Sequence, residues 1–302
     1  MPIEGFHEGE LAVQSQAGVR ADAARLTPML ATPNLNGGTA RFLAVRDFAV
    51  ITARDAEHRL WTSPLFAATG FLDAHDTTMT IHTTPHEGDP LFGLAAGQPI
   101  GLVAIEFATR RRVRVNGTLT HVTAGELEIA VDQAFGNCPK YIQQRHLEHA
   151  DRARPAPGQA LHRDALAPGR IALITHADTF FLGTVHPTRG ADASHRGGAV
   201  GFVRVDGNDV WWPDYPGNNM FNSFGNLAVD KTAALLFLDF DTGSTLHLSG
   251  TASVEWTALG IRGDDGGTGR RVRFTTEQIA TGFPLDVHSD SPHPSPYNPP
   301  IT

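Results

Sequence analysis

The chain has 302 residues, enough for one large domain or two of ordinary size. Hydrophobic residues make up 41% and charged residues 19%, as in globular proteins, and the formal net charge of −8 argues against a general nucleic-acid binder. No apolar run reaches the roughly 18 residues of a membrane-spanning helix, and the single cysteine excludes an intrachain disulfide, so we expect a cytoplasmic protein with no membrane partner.

The first half is predicted to begin with a short helix and to continue as strands. Apolar residues between 19 and 30 are spaced as on one face of a helix. The Asn116-Gly117 pair fits either a hairpin turn or a bulged strand. Strand-like runs cover 48–53, 60–66, 78–82, 100–107, 113–122 and 127–131.

A connector is predicted to follow at residues 138–167. The stretch from 139 to 150 has the composition of a helix, and a Pro- and Gly-containing break at 153–158 favours a domain boundary there.

The strand pattern of the first half then recurs. Four segments starting at 48, 70, 101 and 113 have counterparts starting at 180, 201, 234 and 246, at offsets of 131 to 133 residues. This order predicts two copies of a mostly antiparallel β domain, each a barrel or a sandwich. The predicted layout is an N-terminal extension (1–40), a first copy (41–137), the helical connector (138–167), a second copy (168–264) and a C-terminal segment (265–302).

One polar run in the second copy suits an anion. Residues 194–198 read Ser-His-Arg-Gly-Gly, where the guanidinium offers a planar fork of donors and glycine lets the backbone approach a ligand. An ordinary polar loop has the same composition. The first copy has Ser-Pro-Leu-Phe-Ala at 63–67, which cannot hold a phosphate, so we expect only the second copy to bind one.

Four segments carry a family resemblance: 135–142, 178–184, 192–205 and 214–227. In these segments the chain resembles the FMN-binding split-barrel superfamily, the group of pyridoxamine 5′-phosphate oxidase, in its two-copy form. The resemblance covers most of residues 40–260. It implies a mostly β protein of two tandem split β-barrels, packed as an intrachain pseudo-dimer, with FMN bound non-covalently at the barrel–barrel interface.

The resemblance also implies roles for particular residues. The family commonly has Arg-Lys where this chain has His-Arg, which leaves one strong cation for the phosphate, and Lys231 is a candidate for the missing charge. Asn222 and Asn226 would face the polar edge of the flavin ring. Cys138 and Lys140, at the start of the predicted connector helix, would reach the site from the first copy. A strand along the ring is expected from Phe181, Leu182, Gly183 and Thr184, and the phosphate contacts from Ser194, His195, Arg196 and Gly197.

Two further clusters are interpreted without a ligand. The three arginines at 110–112 favour a solvated turn. The 15 histidines show no ligand-like spacing, so no metal site is expected.

The function implied by the resemblance is an FMN-dependent oxidoreductase acting on a small molecule, with NAD(P)H or O2 as candidate redox partners. The family builds its flavin site from two barrels and this chain holds both, so a monomer could complete one site. A homodimer is nevertheless expected, because the second copy would still need its own kind of partner. The sequence offers no evident catalytic acid or base. A non-catalytic FMN protein for storage, sensing or electron transfer, and a deazaflavin or haem binder on the same fold, remain as alternatives.

Overall fold

The computed structural model describes residues 5–31, 33, 35–150, 161–162, 166–257, 266–282 and 285–301. Alternating runs of β-branched and aromatic residues form its strands, and each copy contributes one antiparallel sheet. The first sheet contains β1 (Phe48–Arg54), β2 (Leu60–Phe66), β3 (Leu72–His75), β4 (Thr78–Ile81), β5 (Pro99–Glu106), β6 (Arg111–Val122) and β7 (Leu127–Gly136).

The second sheet follows two short strands, β8 (Leu147–His149) and β9 (Leu161–His162). It contains β10 (Thr179–His186), β11 (Gly190–Gly197), β12 (Arg204–Asp206), β13 (Asp209–Pro213), β14 (Thr232–Leu238), β15 (Thr245–Trp256) and β16 (Arg270–Gly282). A last strand, β17 (Val287–Ser289), pairs with β8.

The two sheets have the same strand order. The first is β2-β1-β5-β6-β7-β4-β3, and the second is β11-β10-β14-β15-β16-β13-β12 with β9 added beside β16. Each sheet also has a bulge at the equivalent place, beside Gly117 in β6 and beside Gly250 in β15. The predicted mostly β fold of two tandem split barrels is therefore confirmed, and Asn116-Gly117 lies in a bulged strand rather than a hairpin turn.

The two barrels pack directly on each other. One apolar cluster contains Phe48 and Val103 of the first barrel together with Phe181 and Leu236 of the second. Glycines allow the backbones to meet there: a Cβ on Gly101 would lie 2.7 Å from the Asp192 Cα. The two barrels are thus closely packed against each other rather than loosely linked.

The helices are short and pack on both barrels. α5 lies in the segment that connects β13 to β14, and α1 packs across α5. The helices are α1 (Glu8–Gln16), α2 (Arg20–Ala24), a 3-10 helix (Thr27–Leu30), α3 (Gly38–Ala44), α4 (Pro168–His176) and α5 (Asn222–Val229). Among the described residues no helix is long and apolar enough to cross a membrane.

The predicted connector helix was wrong. Residues 138–150 contain no helix, because Tyr141 has a left-handed φ of 66° and the chain around Gln144 forms a bridge to His293. The N-terminal helix predicted over 19–30 is divided into α2 and the 3-10 helix. The boundary predicted at 153–158 lies outside the described residues, and the predicted domain limits stay a prediction.

Candidate functional site

A cleft of about 680 Å³ opens between the barrels. Its walls come from β6 and residues 137–141 of the first half, and from β11, β13 and residues 214–218 of the second. A smaller cleft of about 440 Å³ adjoins it, and the two share Arg114, Arg196 and Asp214 in their walls. The two halves of the chain therefore build one continuous groove.

Four cationic side chains line the larger cleft. Arg112 and Arg114 lie two residues apart on β6, so their side chains share one face of the strand. Arg196 comes from β11, and Lys140 follows β7. The only carboxylate among the described lining residues is that of Asp214, which already pairs with Arg270 at 2.8 Å. The cleft consequently carries a positive potential.

Burial and mutual repulsion destabilise the charges of these arginines. Burial first, and the neighbouring Arg114 second, lower the pKa of Arg112 to about 9 and that of Arg196 to about 10. The Nε atoms of Arg112, Arg114 and Arg196 are buried and have no hydrogen-bond partner among the described residues. Repelling cations with unused donors are the arrangement that an anionic ligand would stabilise.

His195 is held as a neutral imidazole. It is 3% exposed, and its Nδ1 accepts a hydrogen bond of 2.8 Å from Arg112 Nη1. Burial and then the charge of Arg112 hold the pKa of His195 well below its usual value. Because a guanidinium only donates, the imidazole proton must be on Nε2, which has no partner among the described residues.

The N-terminus of α5 faces the smaller cleft. Asn222, Ser223 and Phe224 form the first turn of this helix, line the cleft, and receive no side-chain cap. Phe221 at the N-cap has a φ of 60°, and Asn219 just before it has a φ of 64°. The N–H groups in the first turn of α5 place partial positive charge beside Arg196, and no side chain caps them.

Aromatic rings supply the apolar part of the cleft. Tyr141 and Tyr215 lie with ring centroids 5.0 Å apart, and Tyr215 is followed by Phe202 at 6.3 Å. Trp212 adds a fourth ring to the lining. The groove therefore offers a cationic end and flat apolar walls, which suits a planar ligand that carries an anionic tail.

The structure brings five of the predicted site residues together in the larger cleft: Cys138, Lys140, His195, Arg196 and Gly197. Ser194 lies behind this wall, where it is fully buried and its hydroxyl meets Ser223 Oγ at 3.2 Å. Gly197 approaches the backbone of Tyr141, so its lack of a side chain serves packing between the two halves.

The other predicted residues lie elsewhere. Phe181, Leu182, Gly183 and Thr184 belong to β10, an interior strand whose backbone pairs with β11 on one side and β14 on the other. A strand with both edges paired has no free backbone groups for a flavin ring. Lys231 is exposed beyond α5 and is not among the described lining residues of either cleft, so its role at the phosphate stays a prediction.

Asn222 and Asn226 serve mainly to hold α1. The Asn222 amide donates to Glu10 Oε1 at 2.6 Å, and the Asn226 amide donates to Thr184 Oγ1 at 3.0 Å. The Asn226 Oδ1 meets His7 Nε2 at 3.1 Å. Asn226 is thus turned away from the larger cleft, while Asn222 still lines the smaller one.

The missing cations come from the first barrel. Arg112 was interpreted as part of a solvated turn, and this was wrong: β6 already begins at Arg111, and Arg112 points into the cleft. The available signal was the alternation of Arg112 and Arg114 with Val113 and Val115, which predicts a cationic face. Which face meets the second barrel is decided only by the docking of the two sheets.

One cluster of metal-binding residue types is already satisfied by hydrogen bonds. His7, Glu8 and His186 have ligand atoms within 4.8 Å of one another. The His186 Nδ1 accepts from two backbone N–H groups and its Nε2 meets Glu8 at 3.1 Å, while His7 caps α1 through Nδ1. These three side chains therefore fasten α1 to the barrel.

The equivalent place in the first copy is closed. The residues that correspond to His195 and Arg196 are Pro64 and Leu65, and Leu65 is buried in the core of the first barrel. His247 corresponds to Arg114, and its Nδ1 donates to the Thr62 carbonyl at 2.9 Å within the barrel interface. Among the described residues, the cationic groove is therefore formed on the Arg114–Arg196 side of the interface and not at the equivalent His247–Leu65 side.

Residues 171–259 match the family model described as "Pyridoxamine 5'-phosphate oxidase". No curated protein matches the chain. Three solved structures are similar to it at low identity, each over less than half of the chain. A putative pyridoxamine 5'-phosphate oxidase from Lactobacillus delbrueckii is 14% identical, with 38% of this chain and 92% of that chain covered and a TM-score of 0.31. HutZ, the heme storage protein of Vibrio cholerae, is 13% identical, with 40% and 96% covered and a TM-score of 0.31. A structure described as F420 reductase is 13% identical, with 37% and 94% covered and a TM-score of 0.28.

Proposed function

The chain carries a split-barrel domain of the pyridoxamine 5'-phosphate oxidase family, and we propose that it binds FMN in the groove between its barrels and acts as an oxidoreductase on a small molecule. The observation that carries this proposal is the convergence of Arg112, Arg114 and Arg196 on one aromatic-walled cleft, their buried Nε atoms having no hydrogen-bond partner in the described part of the chain.

The residues present fit the two ends of FMN. A phosphate monoester carries between one and two negative charges near neutral pH, and Arg114, Arg196 and the N-terminus of α5 would hold it. Tyr141, Tyr215 and Trp212 would pack against the ring system. Burial first and repulsion second lower the pKa values of Arg112 and Arg196, and a bound dianion would offset both, which couples binding to the charge of the groove.

When bound, FMN supplies the hydride chemistry, and the protein supplies position and electrostatics. His195 would offer its Nε2 proton as a fixed hydrogen-bond donor, because Arg112 occupies the other ring nitrogen. Lys140 adds a cation at the cleft, with its Nζ 5.5 Å from the ring centroid of Tyr297. The buried rings of Trp212 and Phe202 keep water from that side of the cleft.

The same geometry weighs against a haem ligated by His195. Coordination needs a lone pair on the imidazole nitrogen, and the Arg112 hydrogen bond leaves the proton on Nε2. A deazaflavin shares the planar ring and the phosphate, and a non-catalytic FMN protein would use the same groove. These two alternatives are separated from the proposal by experiment.

The test begins with the absorbance spectrum of the purified protein and with mass spectrometry of any chromophore released by acid. We expect a flavin spectrum and the mass of FMN. Anaerobic NADH or NADPH should then bleach the spectrum, and O2 should restore it. A released deazaflavin or haem would overturn the cofactor assignment. Bound FMN that neither nicotinamide reduces would support the non-catalytic alternative.

A further inference from the structure

A buried carboxylate stands directly behind the anion groove. Asp192 on β11 is 2% exposed and accepts from Arg114 Nη1 at 3.2 Å through Oδ1 and at 3.0 Å through Oδ2. Asn116 Nδ2 donates to it at 3.3 Å, and Ser223 Oγ donates at 3.1 Å. This one side chain therefore connects β6 of the first barrel, β11 of the second, and the first turn of α5.

The connection reaches the groove through Arg114. This side chain is 6% exposed and lines both clefts, and its Nε has no hydrogen-bond partner among the residues that the structure describes. Two hydrogen bonds from a single Nη1 fix the guanidinium on the Asp192 side while its remaining donors stay available. Because Arg114 comes from the first barrel and Arg196 from the second, the contact fixes how far apart the two guanidiniums stand.

The first copy lacks this device. Trp61 on β2 stands where Asp192 stands on β11, and His247 stands where Arg114 does. The pair occurs on the side of the interface that has a cationic groove and not on the side where the groove is closed. Stability of the barrel–barrel contact alone would not require this asymmetry.

We propose that Asp192 is a positioning residue, which holds Arg114 of the first barrel in the wall of the anion groove and so makes anion binding depend on the docking of the two barrels. The proposal rests on the proposed function in that the anion is taken to be the phosphate of FMN.

The substitution Asp192→Asn distinguishes a positioning role of Asp192 from a purely electrostatic one. A carboxylate near a bound phosphate repels it, so removing the charge with Asp192→Asn should tighten FMN binding if Asp192 only contributes charge. If Asp192 positions Arg114, the same substitution should weaken binding, because the buried guanidinium loses its anchor and can rotate away. The sign of the change in affinity therefore separates the two roles.

The experiment measures the dissociation constants of FMN and of inorganic phosphate by titration calorimetry on full-length protein freed of ligand. We expect Asp192→Asn to weaken FMN binding about fivefold to tenfold, and Arg114→Ala about tenfold or more. In the Arg114→Ala background, Asp192→Asn should cause no further loss, because the residue it positions is absent. Asp192→Glu, which keeps the charge, should bind more tightly than Asp192→Asn.

Asp209→Asn is the matched control, because Asp209 also pairs with an arginine, Arg273 at 3.2 Å, in the same sheet but outside both clefts. It should leave both dissociation constants unchanged. Thermal unfolding checks that each variant folds, and the double variant keeps the test valid if Asp192→Asn is destabilised.

Unchanged or tighter binding by Asp192→Asn, or additive losses in the double variant, would overturn the positioning role. If the wild type binds phosphate but not FMN, and the single and double substitutions of Asp192 and Arg114 change phosphate binding as expected, the positioning role stands and the FMN proposal fails. If neither ligand binds to the wild type, both proposals fail.

Discussion

Leu65 and Arg196 occupy the same position in two sheets of identical strand order. Leu65 pairs with Ala49 across β1 and β2, and Arg196 pairs with Phe180 across β10 and β11. Leu65 is 2% exposed and belongs to the core of its barrel, whereas Arg196 lines the groove. One repeat thus uses this position for stability and the other for a charge, and the predictions below start from that difference.

The first prediction concerns the phosphate contact of Arg196. Arg196→Ala should lose about 1.5–3 kcal/mol of FMN binding free energy, roughly tenfold to a hundredfold in affinity, because a charge-assisted contact is removed. Fluorescence titration of FMN measures it. Lys231→Ala removes an exposed cation outside the described lining of both clefts and should leave the affinity unchanged. Equal affinities for wild type and Arg196→Ala would place the phosphate elsewhere.

The second prediction concerns stoichiometry. The holoprotein should release about one FMN per chain, because a phosphate at the equivalent place in the first copy would be buried against Leu65 without a cation. Flavin absorbance after acid precipitation, divided by protein from amino-acid analysis, gives the ratio. A ratio near two would contradict the closed first-copy site.

The third prediction concerns the proton of His195. Since burial and Arg112 hold its pKa well below the usual value, His195 should stay neutral, with the proton on Nε2, at pH values at which an ordinary imidazole is protonated. Nitrogen-15 NMR of the imidazoles reports both tautomer and titration, with His195→Gln used for assignment. Arg112→Ala should move the pKa of His195 upward. A His195 that titrates near its ordinary value in the wild type would contradict the Arg112 hydrogen bond.

The fourth prediction concerns pH and stability. Burial is the largest cause that raises the pKa of Glu10 from 4.5 to about 7. Because the folded-state value is the higher one, the protonated form is favoured on folding. The stabilisation that the protonated Glu10 carboxyl contributes to the free energy of unfolding is complete below about pH 4.5. This stabilisation is lost as the pH rises through about 7.

Glu10→Gln cannot ionise and should not lose stability in this way. Its free energy of unfolding relative to wild type should therefore rise by about 2–3 kcal/mol as the pH increases from about 4 to 8. Urea unfolding of both proteins at several pH values measures this difference. Glu87→Gln alters an exposed carboxylate and serves as the control. Parallel pH dependences for wild type and Glu10→Gln would contradict the raised pKa.

The fold was predictable because the sequence contains the same order of strand segments in two copies. Segments in the same order at a nearly constant offset indicate a duplicated unit, and strand alternation shows through in each copy. The connector was not predictable, because Gln143 and Gln144 make contacts with the distant C-terminal segment, which override local helix preference.

The site was predictable only in its local part. His195 and Arg196 form a polar run with glycines beside it, which any local inspection finds. Arg112 and Arg114 become site residues through the docking of one barrel on another, and no nearby sequence signal reports that contact. The role of Phe181 to Thr184 along a flavin ring stays a prediction. The pairing on both edges of β10 weighs against it, and that pairing is a property of the sheet rather than of the strand.

Gly183 has a consequence for evolution of the groove. A Cβ on this residue would collide with the side chains of Thr52 and Thr62, just as one on Gly101 would meet the backbone of Asp192. Any larger residue at either place would wedge the barrels apart and widen the gap between Arg114 and Arg196. Gly101 and Gly183 thus set the distance between the two walls of the groove, although neither residue lines it. Substitutions meant to change the size of the ligand that the groove accepts could begin with these two glycines.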